Sequence, residues 1–353
     1  MIPTRVAFVS LWMGLLLPTQ AALGFTALYA FGDSLTDTTH HLASASYWMG
    51  RFSNGPLWVE YLSPLLGFPY NPANNSAWAG STTSSGFIPP GLLSQVNSFS
   101  APADAGSALF VTWSGGNDVI NNLAAGTNTT SWNTVITSAV NNISNAVIIL
   151  YGKGARALVV PNLPDIGKTP RLRNGYSAAY QEYITGQSIQ FNSRLAAAMS
   201  AIRQAKPALQ LLDLDVFGKM SFIITNLATY GFTVATNDAL DDPALTDKSF
   251  TGPGSNYVFW DSIHPTTKSH ALVANWFYET LAATQRVAIA LSGPAGTFNL
   301  TLQNLETART YTLQRSTGLP AWSDAATFQA TNGSQTFPQA LTADPNVLFR
   351  VRY

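Results

Sequence analysis

The chain has 353 residues, 46% hydrophobic and 10% charged, and 18 Lys+Arg balance 18 Asp+Glu. A neutral chain without basic clusters or an acidic tail excludes a polyanion-binding role, so no nucleic-acid partner is expected. Zero cysteines exclude a disulfide framework, a thiolate zinc site and a cysteine nucleophile.

Residues 1–22 read as an export signal. Arg5 supplies a basic start, and Val6 to Leu17 is mostly apolar but shorter than the ~20 residues a membrane span requires. Thr19-Gln20-Ala21 offers a small-residue cleavage site. The chain is therefore expected to be secreted, periplasmic or held at the cell surface, with an uncleaved anchor as the alternative. No second long apolar run stands out, so no integral membrane association is expected after signal removal.

From Phe25 onward apolar strands alternate with helices. Strands are predicted at Ala27–Phe31, Ala108–Trp113, Ala155–Val160 and Leu209–Leu214. Helices are predicted at Trp132–Tyr151, at Tyr176–Lys206 with a break near Gly186, and at Thr266–Thr284. This order implies an α/β fold with a mostly parallel sheet covered on both faces, whose functional residues gather at the strands' carboxyl ends. Near Arg286 the texture changes to period-two alternation, as in Thr297–Leu302, Tyr311–Gln314 and Val347–Val351. That pattern predicts a small antiparallel β module of about 65 residues, near the lower size limit of a domain. The expected division is 1–22 signal, 23–285 main domain and 286–353 β module.

Two short strings carry the chemistry. Gly32-Asp33-Ser34-Leu35 follows the first strand, and Asp261-Ser262-Ile263-His264-Pro265 precedes the last helix. A serine hydroxyl needs a base to take its proton and a carboxylate to orient that base. Ser34 could instead cap a helix. Among four histidines, His264 has Asp261 three residues before it, a spacing that lets the carboxylate hold one ring nitrogen on a tight turn. His40 and His41 are rival bases, and His40 has Asp37 at the same offset. A helical segment after Ser34 would turn His40 to another face, and a base from a separate element can approach the hydroxyl freely, so His264 is preferred. His270 falls inside the last helix and reads as structural. Trp113–Asp118 contains Asn117, whose amide suits a developing oxyanion, and Asn75–Ser81 contains Gly80, which permits close backbone approach. Each of these alone also fits an ordinary turn.

Together, in this order, the four strings resemble the blocks of the GDSL lipase/esterase family, also called SGNH hydrolases. The resemblance includes Arg51-Phe52-Ser53-Asn54-Gly55, Trp58-Val59-Glu60-Tyr61-Leu62 and Val160-Pro161-Asn162-Leu163-Pro164-Asp165-Ile166-Gly167, and spans about Tyr29 to Ala283. Both the Arg51–Leu62 strings and the Val160–Gly167 string resemble a subgroup that includes the plant GDSL lipases and many secreted bacterial esterases. The resemblance implies a flavodoxin-like three-layer α/β/α sandwich, Ser34 as nucleophile, Asp261 and His264 as acid and base, and an oxyanion hole from the Ser34 N–H, Gly80 and Asn117. It also implies no metal and no organic cofactor. The chain departs from the family pattern at Thr38-Thr39-His40, where Gly-Asn is common, and at Ala79, where the second block usually has a glycine. The expected activity is hydrolysis of small-molecule, lipid or glycan carboxylic esters through an acyl-serine. A polysaccharide O-acetyl esterase whose β module docks on glycan is one alternative. A non-catalytic glycan-binding or adhesin protein on a hydrolase scaffold is another.

Overall fold

A computed structural model describes residues 23–40, 46–249, 251–285, 288–292, 297–305, 309–316, 321–340 and 348–352. The export segment and His41 lie outside the described residues. In chain order the main elements are β1 (Leu28–Gly32), α1 (Trp58–Leu65), α2 (Leu92–Ser98), β2 (Leu109–Trp113), α3 (Gly116–Asn121), α4 (Thr129–Gly152) and β3 (Ala157–Pro161). Then come α5 (Pro170–Gly175), α6 (Ala178–Ala205), β4 (Gln210–Leu214), α7 (Val216–Thr225), β5 (Val234–Asp238), β6 (Tyr257–Phe259) and α8 (Thr267–Gln285).

Strands β1 to β4 form one parallel sheet in the order β1-β2-β3-β4. An isolated parallel bridge joins Asn75 to Ala30 on the far edge of β1, with Ser76 N–H donating to Ala30 O at 2.8 Å. Counting that bridge as a vestigial strand gives the flavodoxin-like order 2-1-3-4-5, whose ligand crevice lies where the winding reverses, between β1 and β2. The strands have two apolar faces, as buried parallel strands must. Phe31, Phe110, Leu158 and Leu211 face a core with α2, α4 and α6. Leu28, Leu109, Val111, Val159 and Leu214 face the other core, with α1, α7 and α8. The result is three layers, α/β/α.

Local chemistry explains the element ends. The Asn128 side chain accepts from Ser131 N–H at 3.1 Å, so α4 begins before Trp132. Helix α6 ends at Ala205, ahead of Pro207, because a residue before proline avoids helical ψ. The expected break at Gly186 is absent, and α6 runs through it. Helix α4 is long and apolar enough to cross a membrane by length and composition, contrary to the expectation of no second such run. Its residues Trp132, Ile136, Ala139, Ile143 and Leu150 are instead buried in the core.

The C-terminal strands are β7 (Ala288–Ser292), β8 (Thr297–Gln303), β9 (Thr310–Ser316), β10 (Ser323–Gln329), β11 (Ser334–Ala340) and β12 (Leu348–Arg352). They form two antiparallel sheets, β11-β8-β7 and β10-β9-β12. Leu300, Leu302, Tyr311 and Leu313 make a separate small core.

Candidate active site

The carboxyl ends of β1 and β2 set the site. They approach so closely that a Cβ at Gly32 would lie 2.2 Å from Trp113 O. The Gln95 side chain, from α2, fixes the β1 end: its Oε1 accepts Gly32 N–H at 2.9 Å and its Nε2 donates to Gly32 O at 2.8 Å. Beyond Gly32 the chain makes one helical turn, closed by Thr36 and Asp37 N–H donating to Asp33 O at 3.0 and 2.9 Å. The helix expected after Ser34 is only this turn, because Asp37 then spends its carboxylate on the loop. Its Oδ1 accepts Thr39 and His40 N–H at 3.0 and 2.8 Å, and its Oδ2 accepts Ala79 N–H at 2.8 Å.

His264 comes from the turn between β6 and α8. Trp260 N–H donates to His264 O at 2.7 Å, and Asp261 Oδ1 accepts the Ile263 and His264 N–H groups at 2.9 and 2.8 Å. The other oxygen, Oδ2, lies 2.6 Å from His264 Nδ1, and His264 Nε2 lies 2.8 Å from Ser34 Oγ. A tautomer protonated at Nδ1 donates to Asp261 and leaves Nε2 to accept the Ser34 hydroxyl proton. Ser34, Asp261 and His264 are all buried, at 8%, 8% and 7% exposure. Burial alone would raise the Asp261 carboxyl. The hydrogen bond and charge of His264, with the two backbone N–H groups, outweigh it and hold the group below its usual range. Phe52 packs on the imidazole, ring centroids 4.7 Å apart.

The rival histidine is occupied elsewhere. The His40 ring lies 2.9 Å from Ala77 O through Nδ1 and stacks on Trp78 at 4.5 Å. His270 is fully buried within α8; burial, then the charge of His264, push it down to about 3, so it stays neutral.

A slot of about 60 Å³ opens beside Ser34 and His264. Asp33 and Asn117 border it, and Leu163, Ile166, Val216, Met220 and Ile224 form apolar wall. Asn117 Nδ2 donates to Ser81 O at 2.8 Å, which leaves its second amide hydrogen available. Gly80 lies outside the slot's lining, is exposed, and has φ +77°. Among the described residues neither the Ser34 nor the Gly80 N–H donates a hydrogen bond. Asp33 is pushed up to about 7, chiefly by burial.

The GDSL-like lipase/acylhydrolase model matches residues 28–277. The chain belongs to this family. A GDSL esterase/lipase of Arabidopsis thaliana is 26% identical over 70% of this chain and 80% of its own. The thermolabile hemolysin of Vibrio parahaemolyticus is 25% identical over 71% of this chain and 62% of the hemolysin. The solved lipase Lip_vut3 from a goat rumen metagenome aligns with a TM-score of 0.43 at 14% identity, over 72% of this chain and 96% of that one. As a GDSL-family protein the chain is an ester-hydrolysing enzyme.

Sequence reasoning missed Gln95, Phe52 and Asp33. Phe52 and Asp33 sit inside strings already singled out, so adjacency was a usable signal. Gln95 is a polar residue turned into the core, 63 residues from its partner Gly32, and nothing local marks that pairing.

Proposed function

We propose that this GDSL-family enzyme cleaves carboxylic esters through an acyl-serine on Ser34. The reading rests on the hydrogen-bonded line from Ser34 through His264 to Asp261. His264 Nε2 takes the hydroxyl proton as Oγ attacks the ester carbonyl carbon. Asp261 holds the ring in the useful tautomer and stabilises the imidazolium that forms. The carbonyl oxygen becomes an oxyanion. The unpartnered Ser34 N–H and the second hydrogen of the Asn117 amide are suited to receive it, and such a donor is worth ~3 kcal/mol. The family resemblance adds Gly80 as a third donor; its N–H makes no other hydrogen bond, and it lies outside the slot's lining. Collapse expels the alkoxide, which His264 protonates. Water, deprotonated by the same imidazole, then attacks the acyl carbon and releases the acid and Ser34.

The apolar slot favours an acyl group larger than acetate. Leu163, Met220 and Ile224 offer an acetyl-sized group little that it needs, whereas they bury the methylenes of a longer chain at ~0.8 kcal/mol each. A fluorophosphonate probe tests the nucleophile: it should attach to Ser34, and Ser34→Ala should lose both labelling and turnover while melting like the parent. Labelling elsewhere, or turnover retained in that variant, would refute the assignment.

We read residues 1–22 as an export signal, which N-terminal sequencing of the protein recovered from its native host would test. Residues 23–285 then form the catalytic unit and 286–353 an appended β module.

A further inference from the structure

Asp261 carries a hydrogen bond from outside every motif that marks the site. Tyr47 Oη donates to Asp261 Oδ2 at 2.8 Å, the same oxygen that faces His264 Nδ1 at 2.6 Å. With the Ile263 and His264 N–H groups on Oδ1, both oxygens of the carboxylate are doubly engaged. Tyr47 is itself fixed. Its backbone leads into a short turn closed by Trp48 N–H donating to Ser53 O at 3.0 Å. Its ring packs on Phe52 at 5.2 Å, and Phe52 packs in turn on the His264 imidazole. Tyr47 does not border the slot beside Ser34; it lines a separate cavity with Trp48, Asp241 and Lys248.

We propose that Tyr47 is a positioning residue of the reaction, which locks the Asp261 carboxylate in register with His264 and sets the strength of the imidazole as a base. The proposal rests on the reading of Ser34, His264 and Asp261 given above. The physical reason is competition for one oxygen. A phenol donating to Oδ2 draws off negative charge that would otherwise stabilise the imidazolium. Tyr47 thus holds the Asp261 carboxylate in a fixed geometry while sharing the oxygen that faces His264. Burial, then the charge of Asp261, raise the Tyr47 phenol above its ordinary range, so it stays a donor across the working pH range. The other ionisable groups facing this cluster are Asp33 and His270 toward His264, Asp238 toward Asp261, and Asp238 and Asp241 toward Tyr47. No test variant changes them.

Tyr47→Phe keeps the ring packing on Phe52 and removes only the donor. Its kcat should fall about tenfold with KM little changed, since one hydrogen bond to a charged group is lost away from the substrate. The acid limb of its kcat/KM profile should move up by about half a pH unit, because the imidazolium gains the freed charge. Fluorotyrosine introduced at position 47, a stronger donor of nearly the same shape, should move that limb down. A shift of opposite sign in the two variants supports the proposal. A limb that stays put in both, even with lowered kcat, overturns it and leaves the Tyr47 hydroxyl a structural hydrogen bond only. Should Tyr47→Phe fail to fold, the fluorotyrosine protein decides by itself: a limb moved down supports the proposal and an unmoved limb overturns it. Turnover in Ser34→Ala would instead refute the underlying assignment, whatever Tyr47 does.

Discussion

Asp118 grips Thr83 with both carboxylate oxygens, Oδ2 accepting the Thr83 N–H at 2.9 Å and Oδ1 its hydroxyl at 2.8 Å. Asp118 follows Asn117 on α3, and Thr83 lies two residues after Ser81, whose carbonyl accepts from the Asn117 amide. Three contacts therefore fasten the segment bearing Gly80 to the helix bearing Asn117, so two of the groups assigned to the oxyanion move as one.

Asp118→Ala removes two of those contacts and leaves the Thr83 N–H without its acceptor. We expect a loss of about 2–3 kcal/mol in denaturant unfolding. We also expect kcat to fall about tenfold or more as the donors drift. Unchanged kcat in a destabilised variant would show that the fastening serves the fold alone.

Gly32 and Gly186 should respond to alanine with opposite sign. At Gly32 the new methyl would meet Trp113 O at 2.2 Å, and both partners are backbone in adjacent strands. Gly32→Ala should cost about 1–3 kcal/mol and displace Ser34, lowering the melting temperature and the turnover together. At Gly186, inside α6, nothing lies within 4 Å of the added Cβ. Gly186→Ala should raise stability by about 1 kcal/mol with activity unchanged. Calorimetry with a kinetic assay of both variants checks the contrast.

Met220 should set acyl length. It is 4% exposed and forms slot wall from α7. Met220→Trp should fill the slot and cut kcat/KM on a long-chain nitrophenyl ester about tenfold or more relative to the acetate. Met220→Ala should move the optimum to longer chains. A chain-length profile identical in both variants would remove the slot from acyl recognition.

Two buried groups make stability depend on pH in opposite directions. Asp33 is raised from 3.8 to about 7 by burial, so between those values the folded state binds the extra proton. Its contribution is full below 3.8 and is lost as pH rises through about 7. His270 is lowered from 6.5 to about 3, so in that window the unfolded state binds the extra proton. Its contribution is full above 6.5 and is lost as pH falls toward 3. Melting curves from pH 3 to 8 should therefore separate them. Asp33→Asn should steepen the loss of stability on acidification. His270→Leu should flatten it and be well tolerated, because neither ring nitrogen has a partner to lose.

Much of this molecule is legible in one dimension. The hydrophobic runs that became β1 to β4 are short, mostly apolar and spaced by helices, and burial on two faces leaves such runs no other use. The strand-to-turn position of Ser34 and the three-residue step from Asp261 to His264 are local, so their geometry was available from spacing. The helix after Ser34 was expected and is only a turn, because Asp37 holds the loop and Ala79 in place of a second turn. The strands β10 and β11 escaped notice because their apolar alternation is weak; β10 shows largely exposed residues.

What only the tertiary structure decided is which distant groups meet. His264 rather than His40 reaches Ser34, across 230 residues, because His40 is held by Ala77 and Trp78. Tyr47 reaches Asp261 across 214 residues, and Gln95 closes the end of β1. Such pairings leave no periodicity and no spacing in the chain. They arise when separate elements pack on one sheet, and packing fixes contacts that local preference never specifies.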